Sequence, residues 1–347
     1  MDITSQKSEI QAVASTDDLL AAWADFLRLD VAQGDAISRT VATYQAQGDA
    51  ISRTVATYQA QVRDFLAWCA AQGLHPALAT EDDLKAYRSH LTERYARATV
   101  ATRLAAVRRF YQAAVWRGYR TDNPAAGIRP PRERTARDER VRFLTLEGLK
   151  RLLDAPRGDG LRATRDRAML ALMGVHGLRV GEIVALDVAD LDLDAGTVSV
   201  PGKGGKRRTV YLVDLSRQRL ADWLAVRERA AGGETALFVA LDRAKRFTGR
   251  RMTRRAVEAL TDRYLERLGL KRGGISCHSL RHSAAVWARA FGATVDALAD
   301  MLGHASVDTT RIYARIVNRM QENPARFLEA ALGEAENGPE RGTETHR

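Results

Sequence analysis

The chain reads as a mainly helical protein: an N-terminal helical bundle followed by a C-terminal mixed-helical domain that carries one small antiparallel β-sheet. Three observations predict this. Apolar residues recur at helical spacing through most of the first 125 positions, as in Val100, Leu104, Val107, Tyr111 and Ala114. An arginine- and proline-rich stretch then interrupts the pattern. Beyond it, two alternating runs, Thr197–Val200 and Arg208–Val213, flank the turn Pro201-Gly-Lys-Gly-Gly-Lys, the pattern of a β-hairpin.

Taken in order, Leu19, Leu20, Trp23, Phe26 and Leu27 predict a first helix, assigned with the extension before it to residues 1–31. Residues 33–46 recur identically at 47–60, and two copies make no solenoid. Only the second copy runs into Phe65, Leu66 and Trp68, so the working helix is placed at 50–71 with Asp49 as its N-cap. The first copy is expected outside the bundle, because Gly48 would fall inside a continuous helix. Thr80 caps a helix holding Leu84, Tyr87 and Leu91, and a fourth helix covers 98–117. These elements place the helical domain at 32–127. Asn123-Pro124 ends the last helix. Residues 127–142 contain six arginines against three acids, so 128–142 is read as an exposed basic linker.

The second domain is assigned to 143–333. Helices are expected from Thr145 to Asp154 and from Thr164 to Val175, with Gly177 as a stop. The hairpin follows, with Leu237-Phe-Val239 as a third short strand, and helices over 252–268, 278–291 and 294–303. Residues 334–347 are polar, lack apolar periodicity and read as a disordered tail.

A net charge of +11, with 45% hydrophobic and 28% charged residues, describes a folded soluble protein with a polyanionic partner, nucleic acid before membrane. No apolar run reaches the ~18–20 residues that span a bilayer. Cys69 and Cys277 have neither disulfide-framework nor zinc-site spacing, and no basic-then-apolar leader opens the chain, so a cytoplasmic location is expected. No cluster of acids is spaced for two Mg²⁺ and no Gly-x-x-x-x-Gly-Lys-Ser/Thr occurs, so no metal or cofactor is expected.

Six residues could together hold a phosphate and attack it: Arg179, Lys203, His278, Arg281, His304 and Tyr313. Guanidiniums offer planar forks for non-bridging phosphate oxygens and stabilise the charge of a pentacoordinate phosphorane. A lone arginine is more often a surface ion-pair partner, but Arg281 shares a helical face with His278 at i,i+3. A lysine at the hairpin tip can protonate a leaving 5′ oxygen; Lys203 and Lys206 both qualify. His278 can hydrogen-bond the phosphate or accept a phenolic proton. His176 and His282 read instead as helix-packing or hairpin neighbours. Tyr313, nine positions after His304, is the candidate nucleophile, a phenol that needs a positive field and a base to react near neutral pH.

The segments His176-Gly-Leu-Arg179-Val-Gly-Glu182, Gly202-Lys203-Gly-Gly-Lys-Arg, His278-Ser-Leu-Arg281-His and Leu302-Gly-His304 with Tyr313 together resemble the tyrosine recombinases (phage-integrase family), in an Xer-like layout covering about residues 14–333. The resemblance implies a SAM-like core-binding bundle and a catalytic domain closing on opposite sides of double-stranded DNA. It also implies a 3′-phosphotyrosine intermediate, Lys203 rather than Lys206 as the acid, and His304 bracing a non-bridging oxygen. The helix after Tyr313, with Val317, Met320, Phe327, Leu328, Ala331 and Leu332, would reach a neighbouring subunit in a homotetramer on two specific recombination sites. Arg103, Arg108 and Arg109 on the bundle are expected to grip DNA. So are Arg250, Arg251, Arg254 and Arg255, within a stretch (242–272) of eleven basic residues against four acids. A type IB topoisomerase and a non-catalytic DNA-binding protein are the alternatives.

Overall fold

The computed structural model describes residues 14–33, 50–132, 136, 138–202, 207–231, 233–304, 306–321 and 325. Residues 34–46 of the first repeat copy, Asp49, Lys203, Lys206, Phe327, Leu328, Ala331, Leu332 and the tail 334–347 lie outside them. The chain forms two compact units that divide between residues 134 and 135.

The N-terminal unit is a bundle of α1 (Thr16–Gln33), α2 (Ala50–Ala71), α3 (Glu81–Arg94) and α4 (Arg97–Trp116). Its core takes Leu19 and Trp23 from α1, Val62 and Phe65 from α2, Leu84, Tyr87 and Leu91 from α3, and the Val100-to-Ala114 stripe from α4. Phe65 sits at the centre, its ring edge-on to Tyr87, Phe110 and Tyr111 at 4.9–6.2 Å. Thr80 starts α3 through a reciprocal capping box with Asp83. Arg108 donates to the carbonyls of Ala125 and Ile128 (3.3 and 2.8 Å), and Ile128 is buried in the bundle core. The exposed linker expected at 128–142 is therefore shorter: its first residue is packed into the bundle, and Val141 packs against the second unit.

The C-terminal unit comprises α5 (Leu146–Leu153), α6 (Leu161–Gly174), α7 (Val180–Ala185), α8 (Asp214–Ala231), α9 (Arg254–Arg267), α10 (Cys277–Ala290), α11 (Val295–Leu302) and α12 (Arg311–Gln321). From Ala168 to Gly174 every residue of α6 is buried, so this helix runs through the core rather than along its surface. Met169, Leu172, Trp223, Phe238, Val257, Leu260 and Leu280 build the main core around it. The expected hairpin is present: β2 (Thr197–Pro201) pairs antiparallel with β3 (Arg207–Tyr211), and the short β1 (Leu191–Asp192) extends the sheet. The third strand lies elsewhere. Leu237 and Phe238 plug the core, and the ladder begins at Val239, where β4 (Val239–Leu241) pairs only with β5 (Phe247–Arg251).

A smaller cluster stands apart from this core. Ala285, Val286 and Leu302 meet Ile312, Tyr313, Ile316 and Val317 of α12, with Val141 and Phe143 against them. The start of the helix after Tyr313 thus packs within its own subunit. Both cysteines are buried free thiols, one in each unit, and burial pushes each thiol up to about 12.

Candidate active site

A cavity of about 430 Å³ in the C-terminal unit is lined by Arg140, Val141, Arg179, His278, Arg281, His282, His304, Thr309, Ile312 and Tyr313. Five of the six expected residues therefore line one cavity; Lys203 is outside the described residues.

Local sequence explains the convergence. Gly177, at φ +66°, turns the chain out of α6, and a Cβ there would stand 2.7 Å from Leu302. Arg179 follows as the residue before α7. Its backbone N–H and its Nη1 both donate to Glu182 (2.8 Å each). Glu182 also accepts from both terminal nitrogens of Arg208 at 3.0 and 3.1 Å. Burial alone would raise the Glu182 carboxyl; the hydrogen bonds and charge of Arg208, with the charge of Arg179, outweigh it and hold the group below the usual carboxylate range. One buried carboxylate thus steadies two guanidiniums.

Arg281 is 3% exposed and anchored by carbonyls rather than by acid. Its Nη1 donates to Gly177 (2.5 Å) and its Nη2 to Leu302 (2.6 Å). Burial, then the nearby Arg179 charge, lowers it to about 10, so it remains a cation at neutral pH. Capped by Ser276 and Ser279, α10 presents His278, Arg281 and His282 at i, i+3 and i+4, hence on one face. His278 reaches solvent at the cavity, and partial desolvation, then Arg281 and Arg179, lower its pKa.

Gly303 ends α11 in the left-handed region (φ +61°), which a glycine adopts at no steric cost. His304 follows, its Nδ1 2.8 Å from the hydroxyl of the buried Thr310. Tyr313, 2% exposed, sits on the first turn of α12 with its hydroxyl 2.9 Å from Nδ1 of His282. His282 was expected to be a packing residue; instead it is the side chain against the phenol. Arg140, Glu182 and Arg208 are the other side chains that the sequence reading did not single out. For Arg208 the strand alternation held the signal: it lies on the same face of β3 as the buried Val210.

The seven expected DNA-gripping arginines divide into two groups. Arg103 is folded into the bundle, paired with Asp64 at 2.7 Å and stacked 4.2 Å over the Tyr95 ring. Arg108 braces the segment after α4, as above. Arg109 lies 5.9 Å from the Phe26 ring. Arg251 donates to the carbonyls of Val184 and Leu186 and pairs with Asp187. The guanidinium of Arg254 lies against Gly181, where a Cβ would come within 2.5 Å of it. These five each have a neighbour inside the chain: a carboxylate, a carbonyl, a ring or, for Arg254, the Gly181 backbone. Arg250 and Arg255 are exposed. Among the described residues no group of His, Cys, Asp and Glu could hold a metal, and no helix is long and apolar enough to cross a membrane.

A helical bundle joined to a unit that gathers guanidiniums, imidazoles and one tyrosine around a cavity is the architecture of enzymes that break and rejoin DNA strands. The phage integrase family matches residues 142–319, and the N-terminal SAM-like domain of phage integrases matches residues 36–118. The tyrosine recombinase XerC of Azotobacter vinelandii is 37% identical over 232 residues, 66% of this chain and 73% of that protein. XerC of Herpetosiphon aurantiacus is 34% identical over 248 residues, 69% of this chain and 76% of its own. The XerH recombinase in a post-cleavage complex shares the fold at a TM-score of 0.72, with 20% identity over 92% of this chain and 98% of its own. The chain belongs to the phage integrase family, and it is an Xer-like tyrosine-type site-specific recombinase.

Proposed function

We propose that this recombinase cuts double-stranded DNA at specific sites by attack of the Tyr313 oxygen on a backbone phosphorus. The Tyr313 Oη–P bond forms as the P–O5′ bond breaks, leaving a 3′-phosphotyrosine and a 5′-hydroxyl that can attack a partner duplex. Arg179 and Arg281 hold the non-bridging oxygens, His304 braces one of them, and His278 hydrogen-bonds the phosphate. Lys203, or Lys206 beside it, protonates the leaving oxygen. The phosphotyrosyl link conserves the energy of the broken diester, so religation needs no nucleotide.

One observation carries this reading: Tyr313 lines the same cavity as Arg179, the buried Arg281 and the three imidazoles of His278, His282 and His304. Two such donor groups aimed at a developing phosphorane can each contribute on the order of 10²–10³ in rate. XerH has been seen bound to its difH substrate, and lambda integrase as a dimer on a core site. By analogy, the DNA here is a recombination site gripped in part by Arg250 and Arg255, and the working assembly is a homotetramer on two sites in the cytoplasm.

The test uses a nicked duplex carrying the site obtained by selection from random DNA. A covalent protein–DNA adduct is expected with the wild-type chain and none with Tyr313→Phe. An adduct that persists in Tyr313→Phe would exclude this tyrosine as the nucleophile.

A further inference from the structure

Resting on Tyr313 as the nucleophile, we infer that His282 completes the attacking group: its Nδ1 holds the Tyr313 hydroxyl and receives the phenolic proton as the oxygen bonds to phosphorus. The two atoms are 2.9 Å apart, within the reach a general base needs without any rearrangement. His278, the other imidazole on this face, meets the ring of His282 edge-on with centroids 4.6 Å apart, and so stands beside the pair. The two histidines thereby separate in role, His278 toward the phosphate and His282 toward the phenol.

The charges around His282 make its basicity depend on substrate. His278 and Arg281 face it from α10, His304 from the end of α11, and Tyr313 from α12; Arg179 and Arg140 complete the cavity wall. In the empty site burial first, then the neighbouring positive groups, lower its pKa to about 4. It is therefore a neutral acceptor at rest, and Nδ1 can take the hydrogen bond while Nε2 carries the ring proton. A phosphodiester brings a negative charge against Arg179 and Arg281. That charge offsets the fields that keep the imidazole neutral, so the ring gains proton affinity when the diester is in place. In the forward step the Tyr313 O–H proton passes to Nδ1, the Oη–P bond forms, and the 5′ oxygen leaves with a proton from the lysine. Religation reverses each transfer, so no other reactant is consumed.

The test compares His282→Asn, His282→Gln and Tyr313→Phe on the nicked duplex, alongside DNA affinity. Both His282 variants are expected to form adduct about 10²-fold more slowly, with affinity within about twofold of wild type. The loss should persist when sulfur replaces the bridging 5′ oxygen, because a thiolate leaves without a proton. The variants' rates should climb up to tenfold per pH unit from 7 to 9 while the wild-type rate flattens. Cleavage within threefold of wild type, recovery on the sulfur substrate, or parallel pH slopes would each overturn the role of His282 while leaving Tyr313 in place. Adduct in Tyr313→Phe would instead sink the reading beneath it. If either variant loses DNA affinity, the wild-type profile on the sulfur substrate decides: a break in the imidazole range supports the base, and an unbroken rise from pH 5 to 9 rejects it.

Discussion

The two halves of the site are built differently. The anion cradle is tied to the main core: Arg281 donates to the carbonyl of Gly177, next to the buried Leu178, and Glu182 binds Arg179 and Arg208 at once. The nucleophile arm, α11 and α12, rests on a small satellite cluster and meets the cradle at two places, the Leu302 carbonyl that accepts from Arg281 and Arg179 and the contact of Tyr313 with His282. A cradle for a pentacoordinate phosphorus gains from being rigid before substrate arrives, since prepaid orientation lowers the barrier. An arm that must first attack and later release the same phosphorus gains from weaker docking. Packing therefore divides the work of binding charge from the work of moving a bond.

The rigidity of the cradle is most directly tested at Arg281. Arg281→Lys keeps a positive charge but cannot donate to Gly177, Leu302 and a phosphate oxygen with one planar fork. Adduct formation is expected to fall by about 10³-fold or more, with DNA affinity changed far less. A loss below tenfold would mean that the charge alone matters and that the cradle's rigid geometry does not.

Glu182→Gln tests the same half with a smaller expected effect. It leaves two guanidiniums without their shared carboxylate, and breaking a buried pair typically costs about 3–5 kcal/mol. The low end applies, because the Arg179 side chain is 42% exposed and water screens part of the loss. The pH dependence has a definite sign. A carboxyl held below its ordinary range contributes stability that is present above its unfolded value, and that stability drains away as pH falls through the folded value. Acid unfolding of the wild type should therefore include a step that the variant lacks, which denaturant melts from pH 6 down to pH 3 would show. Identical acid profiles would mean that Glu182 does not anchor the cradle.

How much of this was legible beforehand follows the same division. Thr80 announced its helix because a cap acts within three residues. His278 and Arg281 announced a shared face because helical spacing is local. His282 stands one position further on that same face, yet its partner is 31 residues away and its ring is aimed by the packing of α10 on α12. Glu182 and Arg208 meet across 26 residues, and Asp64 claims Arg103 across 39. Charge patterning counts arginines but cannot see the distant acids and carbonyls that pair with some of them, as Asp64 does with Arg103 and Asp187 with Arg251. Residue type and local period identify chemistry; which groups remain available for a substrate is decided by tertiary contacts.

The smallest expected effect separates the two halves most cleanly, because it makes one chemical change in two places. Val317 is 1% exposed in the satellite cluster and Val257 is 0% exposed in the main core. Truncation to alanine removes two methyl groups' worth of burial at either site, about 1–2 kcal/mol. In the main core, Val257→Ala should lower the global unfolding free energy by that amount and leave cleavage by the folded enzyme within about twofold. In the arm, Val317→Ala should act locally, raising amide exchange along Arg311–Gln321 by about five- to thirtyfold while α6 and α10 keep their protection. Cleavage should drop less than tenfold, since the Tyr313 hydroxyl spends less time at His282. If exchange instead rises equally in α6, α10 and α12, the arm and the cradle unfold as one cooperative unit, and the satellite cluster is only an outlying patch of a single core.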